Sequence, residues 1–109
     1  MPWIVSDARV LASVEVVRDR RHKGRGLLGR DHLEGAFLIE NCRWVHTLGM
    51  RFPLDVAYLD AEGHVLKTLR MSRHRVGIPV WKARAVLEAE AGAFGRWGLR
   101  VGDVVELRE

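Results

Sequence analysis

The sequence predicts a mainly β fold, a β-rich α+β chain arranged as a small single-domain barrel or a rolled antiparallel sheet with one or two short helices. Short apolar runs of strand length recur at spacings of roughly 8 to 12 residues, turn residues separate these runs, and few segments have helical periodicity. A chain of 109 residues has room for one hydrophobic core. Residues 1–109 are therefore expected to form a single β-rich domain.

The predicted strands follow the apolar runs in order. They are Met1 to Ser6, Val10 to Val17, Ala36 to Glu40, Leu54 to Leu59, His64 to Met71, Ile78 to Trp81, Ala85 to Ala89 and Val104 to Leu107. The sequence D-A-E-G from Asp60 to Gly63 indicates a hairpin turn, because its glycine tolerates a positive φ.

Two short helical segments are expected between these strands. One lies near Asp19 to Leu28, with Leu27 and Leu28 pointing inward. The other lies within Gly92 to Gly98, where the final glycine can adopt the left-handed conformation that ends a helix.

Composition places the chain among small soluble domains. Apolar residues make up 48% of the sequence and charged residues 29%, a balance that argues against disorder. No signal peptide is evident, and no apolar stretch approaches the roughly 20 residues of a membrane span. We expect a cytoplasmic protein without a membrane partner, as a monomer or weak homo-oligomer. The net charge of +4 is compatible with an anionic partner but does not by itself indicate nucleic acid.

Neither a disulfide nor a metal site is predicted. Cys42 is the one cysteine, so no intramolecular disulfide can form. The histidines are scattered, and none has the paired spacing of a zinc site; they are His22, His32, His46, His64 and His74. No metal and no cofactor are therefore predicted.

Four segments of the chain form a recognisable pattern. They are R-G-L-L-G-R at Arg25 to Arg30, V-H-T-L-G-M-R-F-P-L-D-V-A-Y-L-D at Val45 to Asp60, V-L-E-A-E-A-G at Val86 to Gly92 and G-L-R-V-G-D at Gly98 to Asp103. In these segments and their order the chain resembles the prokaryotic family catalogued as domain of unknown function 192. Its central segment has the H-T-x-G-M-R-F-P-x-D form and lacks the Lys-Asn-Thr of the form W-M-K-N-T-x-x-P-L-D. The resemblance implies a compact, mostly β domain and brings no established activity, substrate or cofactor.

Candidate ligand-binding residues lie between Cys42 and Asp55. Asp55 begins an apolar strand, and a carboxylate that faces the interior must be paired or hydrogen-bonded. Its expected partners are His46, Thr47, Arg51 and backbone N–H groups of the loop. Two interpretations stay open: Asp55 fastens the preceding loop, or the same cluster forms the floor of a pocket that binds an anion. Cys42 adds a thiol that His46 could activate, or it is a small buried hydrophobe.

Three functions are compatible with these patterns. The first is a non-enzymatic module that binds a small anionic ligand or a protein partner in a polar concavity lined by the 42–55 loop. The second is an enzyme that acts on a small anionic substrate through His46, Arg51 and Asp55, but an evident nucleophile or metal set is missing, so catalysis is disfavoured. The third is binding of single-stranded nucleic acid by the basic clusters Arg18 to Arg30 and Arg70 to Arg75, with exposed tryptophan for stacking.

Overall fold

The computed structural model describes residues 1–18 and 27–109, which form one seven-stranded sheet and one short helix. The elements are β1 (Trp3–Ser6), β2 (Arg9–Val17), β3 (Ala36–Glu40), β4 (Leu54–Leu59), β5 (Val65–Met71), β6 (Ala85–Glu90), α1 (Ala93–Trp97) and β7 (Glu106–Arg108). The predicted mainly β class is confirmed. Within the described residues no helix is long and apolar enough to span a membrane.

The strands follow the order β5-β4-β6-β3-β2-β1-β7. Every pair of neighbours is antiparallel except β2 and β3, which are parallel. The sheet rolls without closing into a barrel. Its two ends approach each other because the chain before β7 contacts the start of β5: the Val65 amide donates to Asp103 O, and the Val105 amide donates to Gly63 O, both at 2.8 Å.

Two predicted elements differ from the structure. Residues 78–81 do not form a strand; instead, 76–80 run antiparallel to 43–46, with Gly77 N donating to Val45 O at 3.0 Å. Pro79 cannot donate to a ladder, which prevents regular pairing there. The C-terminal strand begins at Glu106, two residues later than predicted.

The helix predicted near Asp19 to Leu28 falls largely on residues 19–26, outside the described residues. Of its two leucines, Leu27 is buried, but Leu28 is 40% exposed, so the prediction that both point inward is wrong for Leu28. The helical turn predicted within Gly92 to Gly98 is confirmed as α1, and Gly98 ends it in the left-handed conformation with φ of 69°.

Each face of the sheet has its own hydrophobic core, because side chains alternate along every strand. One face, termed here the loop face, is covered by residues 42–52 and includes Phe37, Leu54 and Tyr58. The opposite face, termed the helix face, packs against α1 and includes Leu87 and Phe94. This division decides which polar side chains can meet.

Candidate functional site

Glu88 lies at the centre of the sheet, on the loop face. On β6 it is opposite Phe37 of β3 on one side and Val56 of β4 on the other. The residue is only 5% exposed. None of the described residues donates a hydrogen bond to its carboxyl group or forms an ion pair with it. Burial raises the pKa of Glu88 to about 7.

A cavity of about 200 Å³ includes Glu88 in its lining and lies between the sheet and the segments that cover the loop face. The other lining residues are mostly apolar: Leu27, Leu28, Phe37, Ile39, Cys42, Trp44, Val45, His46, Leu48, Met50 and Leu54. Three of them, Leu28, Trp44 and Leu48, are also exposed to solvent and form the rim of the cavity. The arrangement is an apolar recess with one carboxyl group in its wall.

Hydrogen bonds between side chains and backbone groups hold the covering loop over this recess. The Cys42 thiol donates to Trp44 O at 3.1 Å, and the Trp44 indole N–H donates to Gly77 O at 2.7 Å. His46 Nδ1 accepts the amide of Leu48 at 3.2 Å, so the proton of the neutral imidazole lies on Nε2. The rings of Trp44 and His46 lie 5.4 Å apart.

Three proton-releasing groups come together on the loop face. Burial raises the pKa of the Tyr58 phenol, and the neighbouring Cys42 thiol and Glu88 carboxyl raise it further by unfavourable charge interactions. Negative charge is therefore disfavoured on the Tyr58 phenol and on the Glu88 carboxyl, which lie near the Cys42 thiol.

Asp55 is buried and hydrogen-bonded, but its partners are not the ones expected from the sequence. Its Oδ1 accepts from Arg70 Nε at 3.0 Å, and its Oδ2 accepts from the amides of Gly92 at 2.9 Å and Phe94 at 3.1 Å. Strand alternation explains the difference: Leu54 faces the loop side, so Asp55 faces the helix side and is directed away from the 42–52 loop. Asp55 thus fixes the start of α1.

The remaining predicted site residues separate as well. Thr47 is fully buried, and its hydroxyl donates to Ser72 O at 2.6 Å and accepts from the Arg75 amide at 2.9 Å. Arg51 is exposed and pairs with Asp31 at 3.0 Å. Of the five candidates, only Cys42 and His46 lie together in the cavity lining. A shared ligand site for all five stays a prediction.

A second depression, of about 290 Å³, is polar and cationic. Asn41, Arg43, Ala83 and Arg84 line it. Both guanidinium groups donate to the carbonyl of Ala83, Arg43 Nε at 3.2 Å and Arg84 Nη1 at 3.0 Å. Trp81, whose carbonyl accepts a further bond from Arg84, is 75% exposed.

One group of side chains has metal-ligand spacing within the described part of the chain. Ligand atoms of Asp60, Glu62 and His64 lie within 4.8 Å of one another in the turn between β4 and β5. The Asp60 carboxylate already accepts the amides of Glu62 at 3.0 Å and His64 at 2.9 Å. These bonds account for the cluster as part of the hairpin turn.

The sequence matches the family domain of unknown function 192, described as "Uncharacterized ACR", over residues 3–107. The chain belongs to this family. The family relationship inferred from the four sequence segments is therefore confirmed. None of the curated proteins compared with the chain matches it.

Two crystal structures share the fold. One is a protein of unknown function from Novosphingobium aromaticivorans, with a TM-score of 0.81 and 20% identity over 96% of this chain and 82% of that one. The other is a "putative transcription regulator" from Sinorhizobium meliloti, with a TM-score of 0.81 and 21% identity over 96% of this chain and 90% of that one. At this identity the likeness shows the fold alone.

Glu88 lies within the family segment V-L-E-A-E-A-G but is not among the site residues predicted from the sequence. A usable signal was present, since this glutamate lies between Leu87 and Ala89 in a short apolar run. A charged residue inside such a run is directed either to solvent or into an interior that must accommodate it. Only the order of the strands shows that β6 is central and that Glu88 is enclosed on both sides.

Proposed function

We propose that this domain is a binding module for a small, mainly apolar molecule, and that the molecule occupies the cavity lined by Glu88. The observation that carries the proposal is the cavity itself: about 200 Å³ enclosed largely by apolar side chains. Binding sites for small molecules are typically concave and apolar with few polar groups. A dry apolar cavity of roughly 150 Å³ accepts benzene, so this one fits a single ring or a short alkyl chain.

The surroundings of the rim support binding from solution. Beside Trp44 and His46, the antiparallel segment 76–80 exposes Val76 and Ile78, the latter at 74%. An exposed apolar area next to a recess is typical of surfaces that contact a ligand. The bound molecule can therefore extend from the cavity onto this area.

The proposed function is still that of a non-enzymatic binding module, as the sequence predicts. It differs in the ligand, which is neutral or cationic and not anionic. The carboxyl group of Glu88 would repel an anion inside the cavity, so a neutral or cationic molecule is favoured there. The enzymatic alternative gains no support from the geometry, because Asp55 lies on the helix face and Arg51 pairs with Asp31 at the surface.

Binding of single-ring probes tests the cavity. Toluene, phenol and 2-phenylethanol are titrated while the backbone amide signals of residues 42–50 are followed by NMR. We expect saturable shifts in the wild type and an affinity loss of about tenfold or more in L48W, whose indole narrows the mouth. V101W adds the same indole at an exposed position outside the cavity lining and should bind normally.

Two results would contradict the cavity proposal. One is the absence of saturable shifts with every probe. The other is equal affinity in L48W and the wild type, since binding at another surface would not be affected by the mouth.

A second candidate function is binding of single-stranded nucleic acid at the depression of Arg43 and Arg84. Residues 64–87 contain six lysines and arginines and no acidic residue. Exposed Trp81 could stack on a base while the two guanidinium groups bind phosphate. We thus propose that the predicted anionic partner binds this surface and that the apolar ligand binds the cavity.

Fluorescence anisotropy with a labelled oligothymidylate tests the second function. W81A and the double variant R43Q/R84Q should each weaken binding by about tenfold, and the affinity should fall as salt is added. R96Q/R100Q removes two exposed arginines elsewhere and serves as the control. Affinity that is independent of salt, or equal losses in both double variants, would exclude a specific site here.

A further inference from the structure

We propose that the ligand of the cavity is an amine, and that Glu88 binds its ammonium group as hydrogen-bond acceptor and ion-pair partner. This ligand class rests on the proposed function of the cavity. It adds a chemical identity that the apolar walls alone do not specify, because those walls would accept any hydrophobic molecule of the right size.

The two buried carboxyl groups among the described residues make the case by contrast. Asp55 and Glu88 are each 5% exposed. Asp55 accepts three hydrogen bonds from the protein, one of them charge-assisted. Glu88 receives none from the described residues and instead lines the cavity. Burial disfavours the charged form of Glu88, and a ligand that donates a hydrogen bond to the carboxylate would offset that cost.

The neighbours of Glu88 favour a positive donor. Tyr58 and Cys42 add only acidic groups to its environment, so an approaching cation meets no like charge from them. Phe37, directly opposite Glu88, and Trp44 at the rim also line the cavity and offer aromatic faces. Aromatic faces attract an ammonium group. A carboxyl group beside aromatic rings is therefore suited to an amine.

None of the cationic side chains among the described residues pairs with Glu88. Arg30 lies with its guanidinium carbon 6.0 Å from the centre of the Phe37 ring, but it pairs with both carboxylate oxygens of Glu15 at 3.2 and 2.9 Å. His46, the basic residue that the cavity lining contains among the described residues, lies beside Trp44 at the rim. No cationic side chain of the described residues occupies the position next to Glu88. We infer that a ligand supplies the positive charge there.

Three matched probes test the ligand class. 2-Phenylethylamine, 2-phenylethanol and propylbenzene have the same number of heavy atoms and differ in one terminal group. By calorimetry at pH 8 we expect the amine to bind about tenfold or more tightly than the other two, as a charge-assisted hydrogen bond predicts. E88Q should abolish this preference while leaving the binding of 2-phenylethanol within about twofold.

E90Q is the matched control. Glu90 lies on the same strand, two residues further along, and is not part of the cavity lining. The substitution removes one negative charge from the chain, so a general effect of net charge would reduce amine binding in E90Q and E88Q alike. Retention of the full amine preference in E90Q, with its loss in E88Q, assigns the preference to Glu88.

Acid should weaken amine binding. An alkyl ammonium group stays protonated from pH 6 to 8, whereas Glu88, with a pKa of about 7, changes from mostly ionised to mostly neutral. We expect the amine affinity to fall by about tenfold between pH 8 and pH 6 and the affinity for propylbenzene not to fall. Among the described residues, the other titratable and charged groups around the cavity are Cys42, His46, Tyr58 and Arg30. H46Q should keep this pH dependence.

Each experimental outcome leads to a different conclusion. Equal binding of all three probes, or an amine preference that persists in E88Q, overturns the amine class and leaves the cavity function standing. Failure of every probe to bind overturns the cavity function itself. If E88Q does not fold, carbon-13 NMR of the wild-type Glu88 carboxyl decides: the amine must lower its pKa, and an unchanged pKa contradicts the ion pair.

Discussion

The carboxylate of Asp55 accepts the amide of Gly92 at 2.9 Å, across a sequence separation of 37 residues. A second amide, that of Phe94, reaches the same oxygen at 3.1 Å. These bonds attach the start of α1 to the centre of β4. Asp55 is therefore a structural group of the helix face, and the cavity lies on the other side of the sheet.

D55N should destabilise the fold and leave the cavity unaffected. The asparagine loses the negative charge, and we expect the free energy of unfolding to fall by about 2–4 kcal/mol. R70Q should cost less than about 1 kcal/mol, because the Arg70 side chain is 63% exposed and its pair with Asp55 is screened by solvent. Urea denaturation measures both. A D55N variant of normal stability but with weakened probe binding would contradict this assignment.

Ionisation of Glu88 should lower stability as the pH rises. Its folded pKa of about 7 lies above its ordinary value of 4.5, so the folded state favours the neutral form. Its stabilising contribution is complete below about pH 4.5 and is lost as the pH rises through 7. Relative to E88Q, the wild type should lose up to about 3 kcal/mol between pH 4.5 and pH 8.

Urea denaturation of the wild type and E88Q across this pH range gives the difference directly. The comparison with E88Q removes the contributions of the other titrating groups. A difference that stays constant with pH would show that the Glu88 carboxyl is hydrated or paired at all pH values.

The Thr47 hydroxyl should contribute to stability through the loop it fastens. T47V keeps the shape of the side chain but leaves Ser72 O and the Arg75 amide without this partner. We expect a loss of about 1–3 kcal/mol in unfolding free energy and faster hydrogen exchange at the Arg75 amide. T68V, on the partly exposed strand β5, is the control and should be close to neutral. An unchanged hydrogen-exchange rate at the Arg75 amide would contradict the proposed role of Thr47 in holding the loop.

Gly63 should tolerate no side chain where the two ends of the sheet meet. Its φ is +86°, and an added Cβ would lie 2.2 Å from the carbonyl oxygen of Val105. Gly102 also has a positive φ, +95°, but a Cβ there meets nothing within 4 Å. G102A should therefore cost only the conformational term of about 1–2 kcal/mol. G63A should cost on the order of 3 kcal/mol or more, and equal losses in thermal denaturation would contradict the steric account.

Local sequence pattern was sufficient for most of the fold. Short apolar runs predicted β3 and β4 with their observed bounds, and the turn from Asp60 to Gly63 joins β4 to β5. These features depend on residues near one another in sequence. Pattern alone did not show that 78–81 would pair irregularly with 43–46, because that outcome depends on Pro79 meeting a distant loop.

The candidate site was harder to predict, for a reason that Asp55 illustrates. The sequence placed this carboxylate at the start of an apolar strand, but that position does not specify which face of the sheet the side chain occupies. Loop partners nearby in sequence, such as Arg51, were therefore favoured over Gly92 and Phe94. Glu88 depended even more on topology, since its enclosure requires β3 and β4 to pair with opposite edges of β6.

Under the proposed function, Glu88 binds the charged group of the ligand, and the residues at the cavity opening select its shape. The backbone of Glu88 is hydrogen-bonded to strands on both edges of β6, so the sheet fixes the position of the residue. Leu28, Trp44 and Leu48, by contrast, belong to irregular segments at the opening. Relatives or engineered variants could exchange these outer residues to admit longer, shorter or branched molecules while keeping the same anchoring group, so that selectivity could diverge without a change in the sheet.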